Sequence, residues 1–182
     1  MSHERNQVEP EIPGIGPLLE ALGVSIVDGV VTLPFDLGQT VAGAHLAAIG
    51  WATVELDRAE ADLGAQLGTS FEPTNRDALL GATVRRSTGI GPPIFIEEPD
   101  TEGRLTGALA KHGEGPVALY LRVTDLSALP GTLSIRAGSG PLGPARLVLD
   151  GKPWGPFLIL VGPPGPPSEP PPPDAERVPS EP

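Results

Sequence analysis

Cysteine is absent from this 182-residue chain, so it has no disulfide, no thiolate nucleophile and no thiolate-held metal. Histidine is scarce, at three residues: His3 near the start, His45 in the middle and His112 further on. Aromatic side chains make up only 4% of the chain, so each large ring carries more information than usual. Positive charge is also short. Twelve Lys and Arg stand against 23 Asp and Glu, a formal net charge of −11. That balance argues against a nucleic-acid backbone or an anionic membrane surface as partner. No apolar stretch has the length of a bilayer span, and MSHERNQVEPEIPG lacks a signal-peptide core, so a cytoplasmic location is the expectation.

Glycine and proline, at 24 each, are abundant, which favours frequent turns and short helices. In VSIVDGVVTLPF, Asp28-Gly29 lies between two β-branched runs and predicts a hairpin over residues 24–35. Leu18 to Leu22 predicts one or two helical turns stopped by Gly23. From Ile49 the pattern reads as a strand to Leu56, an N-cap at Asp57 with Glu60 as its capping-box partner, and a helix ending at Gly68. Residues Phe71 to Asn75 read as loop. Strands are expected within 79–86 and 93–98, followed by a helix over 102–112 capped by Thr101. PVALYLRV then repeats the strand-then-Asp signature at Asp125, but Pro130-Gly131 cuts the following helix short. Three more strands are expected at 132–136, 145–149 and 157–161. Beyond Gly162 there are ten prolines in twenty residues with four acids and one Arg, the composition of a disordered tail or a ligand for a proline-binding partner.

Two passages, WATVELDRAEADLGAQLG and IFIEEPDTEGRLTGALAKHGEGPVALYLRVTDL, resemble the vicinal oxygen chelate superfamily, the group of glyoxalases, bleomycin-resistance proteins and methylmalonyl-CoA epimerases. The resemblance covers residues 49–162. It implies an α+β fold in which two βαβββ modules form a cup-shaped pair of curved mixed sheets. Here the second module is shortened, and an N-terminal helix and β-hairpin precede the pair. The implied organisation is an N-terminal extension over 1–45, a cup domain over 46–162 and the tail over 163–182. Within the cup, module one spans 49–99, a linker helix 101–113 and module two 115–162. Members of the superfamily often pair, so a homodimer is a further expectation.

The family's metal is held by a His on the first strand of each module and a Glu or Gln on the last. Those positions fall on Trp51, Ala118, Phe95 and Ile159, none of which binds a divalent ion. No metal and no cofactor are therefore expected. Strand alternation then gives the cup a lining of Trp51, Thr53, Glu55, Phe95, Ala118, Phe157 and Ile159, suited to an apolar or aromatic small molecule. Tyr120, Glu97, Arg122 and His45 are the candidates for acid–base chemistry, of an isomerase, cyclase or lyase kind. Whether such a cup sequesters its ligand or transforms it is open at this point. So is the alternative of a plugged cup in an interaction protein that works through its hairpin and tail, with Tyr120 a core residue and Glu97 and Arg122 a structural ion pair.

Overall fold

A computed structural model of the chain describes residues 14–27, 30–32, 44–100, 102–149 and 153–164. Asp28-Gly29, Thr101 and residues 165–182 of the proline-rich tail lie outside the described residues. Three helices and ten strands follow in order: α1 (Ile15–Leu22), β1 (Ser25–Val27), β2 (Val30–Thr32), β3 (His45–Ala52), α2 (Leu56–Leu67), β4 (Phe71–Pro73), β5 (Ala82–Ser87), β6 (Ile94–Pro99), α3 (Arg104–His112), β7 (Gly115–Arg122), β8 (Ile135–Gly140), β9 (Gly143–Val148) and β10 (Phe157–Val161).

Eight of the strands make one curled half-barrel sheet in the order β4-β5-β6-β3-β7-β10-β9-β8. The order reads the same from both ends in terms of position within each half. In the first half β3 pairs parallel with β6, and in the second β7 pairs parallel with β10. The remaining pairs in each half are antiparallel. The halves meet where β3 pairs antiparallel with β7, placing Gly50 opposite Ala118 and Ala48 opposite Tyr120. The expected pair of curved sheets is thus a single continuous sheet of mixed direction.

The four middle strands around this seam, β6, β3, β7 and β10, are buried on both faces, and their apolar residues divide accordingly. Ala48, Ala52, Phe95, Ala118, Tyr120, Phe157 and Ile159 share the inner-face cluster. On the outside of the first half, α2 lays Leu56, Ala59 and Leu63 over Ile94, Ile96 and Trp51. The second half has no equivalent helix, because residues 124–131 form only turns before β8. Its outer face is instead covered by Leu18 and Leu22 of α1 with Val24 and Val31, packed on Leu119, Leu121, Leu158 and Leu160. The N-terminal helix therefore fills the place that the shortened second module leaves bare.

Several local expectations shift. The α2 N-cap is Glu55, not Asp57, and no side chain caps that end. Asp57 lies in the first turn, where it and Glu60 both bind Arg85 of β5. An ion pair to a neighbouring strand has replaced the reciprocal capping box. The β3 strand ends at Ala52, and Thr53 to Glu55 form the corner into the helix. Glu114 closes that corner, accepting Thr53 Oγ1–H at 2.8 Å, Val54 N–H at 2.8 Å and the Arg58 guanidinium at 2.7 Å. Arg58 chiefly, then the Val54 amide, lowers the Glu114 carboxyl to about 2. Residues 71–73, expected as loop, pair at the sheet edge, where Pro73 is tolerated. The helix expected from residue 102 begins at Arg104 behind Gly103. The hairpin over β1 and β2 forms in antiparallel register, Ser25 opposite Thr32.

If α1 is the cover for the second half, shortening Leu18 should destabilise the whole domain. Leu18→Ala is expected to cost about 2–5 kcal/mol, the range for a large-to-small change in a well-packed core. The urea unfolding midpoint, compared at unchanged slope, measures it.

Candidate functional site

The inner face of the sheet carries small residues at its centre. A β-carbon at position 50 would lie 2.9 Å from that of Ala118 and 2.9 Å from Glu97 Oε1. Only glycine there lets the Glu97 carboxyl lie flat across β3. Glu97 sits two residues along β6 from Phe95, on the same face, and is fully buried. From β7, Tyr120 reaches the same point with its ring edge-on to Phe95, centroids 5.3 Å apart. Its hydroxyl oxygen lies 2.5 Å from Glu97 Oε1 and 2.6 Å from Asp77 Oδ2.

Asp77 belongs to the turn joining β4 to β5. Its Oδ1 accepts the Leu79 and Leu80 amides at 2.8 and 2.9 Å, and Gly81 completes the turn at φ 72°. This turn closes the open side of the sheet. The Ala78 amide donates to Ser139 of the opposite edge strand β8 at 3.0 Å, and Leu79 packs against Gly138, where a β-carbon would be 2.5 Å from Leu79 Cδ2. Leu105 and Ala108 of α3 fill further space on the inner face.

Proton counting fixes the chemistry of the three groups. One phenol hydrogen cannot serve two carboxylates. Tyr120 donates to one of them, and the contact on its other side is a carboxyl O–H donating to the phenol oxygen. Asp77 already accepts two amides, which favour its ionised form. Glu97 has no amide donor, and its Oε2 is buried without a hydrogen-bond partner. The arrangement is therefore Glu97 O–H to Tyr120 to Asp77 carboxylate. Burial first, then the charge of Asp77, raises the Glu97 carboxyl well above the ordinary range. Burial also raises Asp77, against the lowering effect of the Tyr120 hydrogen bond, and raises the Tyr120 phenol well above its usual value. Groups this close titrate as a unit.

The structure gathers Tyr120, Glu97, Phe95, Ala118, Phe157 and Ile159, but not the remainder of the sequence-derived set. Trp51 lies on the opposite face, against α2, because the register at β3 puts Ala48, Gly50 and Ala52 inward. A register irregularity between Gly50 and Trp51 accompanies this. Thr53 is buried in the corner beyond the strand, bonded to Glu114, while Glu55 is exposed beside Arg58. His45 is exposed at the start of β3, directly opposite Arg122, and Arg122 donates to the Gly162 carbonyl at 3.0 Å. Glu97 consequently meets Tyr120 and not Arg122, so no ion pair joins those two. Asp77 was not singled out in the sequence. The signal is present in DALLG, an Asp followed by three apolar residues and a glycine, which marks a turn with a buried flank.

A divalent metal of the family's kind does not fit these residues. Gly50, Ala118, Phe95 and Ile159 offer no donor atom, and the oxygens nearby are two carboxyls already bonded to one phenol. Among the described residues no three His, Cys, Asp or Glu side chains converge as a ligand set.

No protein-family model matches the chain, and no curated protein matches it. Solved structures do. Methylmalonyl-CoA epimerase from Mycobacterium tuberculosis superposes at TM-score 0.57 with 22% identity, over 66% of this chain and 88% of that one. A hypothetical protein from Bacillus halodurans gives 0.57 with 13% identity, over 70% and 99%. A methylmalonyl-CoA epimerase variant from Streptomyces coelicolor, in complex with 2-nitronate-propionyl-CoA, gives 0.53 with 20% identity, over 64% and 92%. This chain has the vicinal oxygen chelate fold. No helix among its described residues is long and apolar enough to cross a membrane.

The raised Glu97 carboxyl has a direct consequence for stability. Folded protein holds a proton there that the unfolded chain, near the ordinary value of 4.5, gives up. The stabilisation is therefore complete below that value and is lost as pH rises toward the folded-state value. Glu97→Gln cannot titrate, so its urea midpoint should fall less than the parent's between pH 5 and pH 9. Parallel curves would show that Glu97 does not hold the proton.

Proposed function

We propose that this protein is a metal-independent member of the vicinal oxygen chelate group that takes a mostly apolar small molecule onto its inner face and does acid–base work on it. The observation that carries this reading is Glu97, a buried carboxyl with one unpartnered oxygen on an inner face that is apolar apart from Tyr120 and Asp77. Replacing a buried ionisable pair by apolar residues often leaves a protein as stable or more so, and on that ground we read this buried acid as a functional centre. Glu97 is the acid, Tyr120 carries its proton relay, and Asp77 holds the charge. An isomerisation, cyclisation or elimination would need one such proton donor and acceptor. Phe95, Phe157, Ala118 and Ile159 supply the contact surface. Entry requires the 77–81 turn to leave β8, a separation that breaks one backbone hydrogen bond between them among the described residues. The solved neighbours are methylmalonyl-CoA epimerases. Here no Lys, Arg or His is buried among the described residues, which speaks against an acyl carboxylate as substrate. Action in the cytoplasm as a homodimer is part of the proposal.

The second reading, a plugged cup in an interaction protein, draws on Leu79, Leu80, Leu105 and Ala108, which fill the inner face. Nile red titration separates the two. Under the first reading the parent binds the dye, and Phe95→Ala weakens it about tenfold, as loss of a central aromatic contact does. Unchanged affinity in a folded variant would remove Phe95 from the lining. Under the second reading no dye binds, and deletion of residues 163–182 abolishes a protein complex while the core stays folded.

A further inference from the structure

We propose that the turn over residues 77–81 is a proton-controlled latch, fastened to β8 while Glu97 keeps its proton and released when that proton leaves. The latch needs no ligand, so it stands apart from the reading of the inner face as a binding site. The turn is fastened through one short segment of β8. The Ala78 amide donates to the Ser139 carbonyl at 3.0 Å. Leu79 lies over Gly138, where a β-carbon would be 2.5 Å from its Cδ2. The Asp77 carboxylate lies against Gly140, where a β-carbon would be 3.1 Å from Oδ2. That same Oδ2 is 2.6 Å from the Tyr120 hydroxyl, so one carboxylate oxygen touches both the edge strand and the proton-holding centre. With a proton on Glu97, each of the two contacts of the phenol oxygen has its own hydrogen. Without it, one phenol hydrogen is left between two buried carboxylates, and one of them goes unbonded beside a like charge.

Asp77 is the member of the trio that can leave. Glu97 is on β6, bonded on either side to β3 and β5, and Tyr120 is on β7, bonded on either side to β3 and β10. Asp77 is in a turn held to β8 by one backbone hydrogen bond among the described residues. The step balances in protons. The Glu97 O–H bond breaks and its proton passes to solvent. The Tyr120 hydrogen turns from Asp77 to the new Glu97 carboxylate, and the Asp77 carboxylate moves out with the turn into water. Burial first, and the charge of Asp77 second, hold the proton on Glu97 until then. Few other charges bear on the trio. Arg76 in the same turn opposes the Asp77 charge and is itself bound by Asp100, Nη2 to Oδ1 at 2.7 Å. The side chains that β3, β5, β10 and α3 place in the inner cluster are apolar. Arg86 of β5, Glu98 of β6, Arg122 of β7 and Arg104, Lys111 and His112 of α3 are half-buried or exposed.

The closed form holds a proton that the open form gives up, so closure is favoured at low pH and opening at high pH. Between the Glu97 titrations of the two forms, the open population grows by up to about tenfold per pH unit. Hydrogen exchange of the full chain, followed amide by amide from pH 5 to pH 9 and corrected for the intrinsic base-catalysed rate, reads the latch at Ala78. Its protection is expected to fall at least about tenfold relative to the amides of β10, which stay shut. In Glu97→Gln, which has no proton to lose, Ala78 protection should stay level. If melting shows that variant unfolded, Asp77→Asn is read in its place. Its uncharged side chain can still accept the turn amides through Oδ1 and donate to Tyr120, so it too should hold Ala78 level. Constant Ala78 protection in the parent overturns the latch. So does a fall that β10 shares in full, which is unfolding of the whole domain, and so does a fall that persists in the variant. Nile red takes no part in these readings, so the latch and the ligand site fail separately.

Discussion

The antiparallel pairing of β3 with β7 is the contact on which everything else depends. Each half of the sheet alone is a four-stranded piece with one parallel and two antiparallel pairs. Joined through Gly50–Ala118 and Ala48–Tyr120, the halves become one curved surface with a common inner face. The register of this seam decides which side chains look inward. It places small residues at the centre, and the space they leave is taken by Glu97 and Tyr120. A larger residue at 50 would meet both Ala118 and the Glu97 carboxyl. Site and seam are thus a single packing problem.

The two free edges of the sheet are handled differently from its middle. Edge strands β4 and β8 are brought together by the turn after β4, with Leu79 set against Gly138 and Ala78 bonded to Ser139. Asp77 links that turn to the centre through Tyr120. Closure of the sheet and protonation of the carboxyl pair are consequently coupled through one side chain. A charge gained on Glu97 would face Asp77 across the phenol oxygen, and the repulsion would be felt at the turn.

Much of this was legible in the sequence, and the failures have physical causes. The repeated strand-then-Asp signature gave the duplication, because a tight corner after a buried strand leaves few residue choices. Phe95, Ala118, Tyr120, Phe157 and Ile159 could be grouped, because period-two alternation survives in continuous strands. Trp51 could not, because a one-residue change of register moves every side chain of a strand to the other face. Thr53 and Glu55 failed for a related reason: the strand stops at Ala52, and alternation means nothing past its end. Asp77 escaped because its role depends on a contact with Tyr120, 43 residues away in sequence. The covering role of α1 is likewise a long-range matter, although its amphipathic pattern is local.

That cover has a consequence during synthesis. Leu18 and Leu22 leave the ribosome about 100 residues ahead of Leu119 and Leu121, and further still ahead of Leu158 and Leu160, the strand residues they later shield. For that interval the N-terminal helix has no partner from the second half, and the first half can close over α2 well before the second can close over anything. The earliest segment of the chain therefore cannot reach its native cover until the second half has been made.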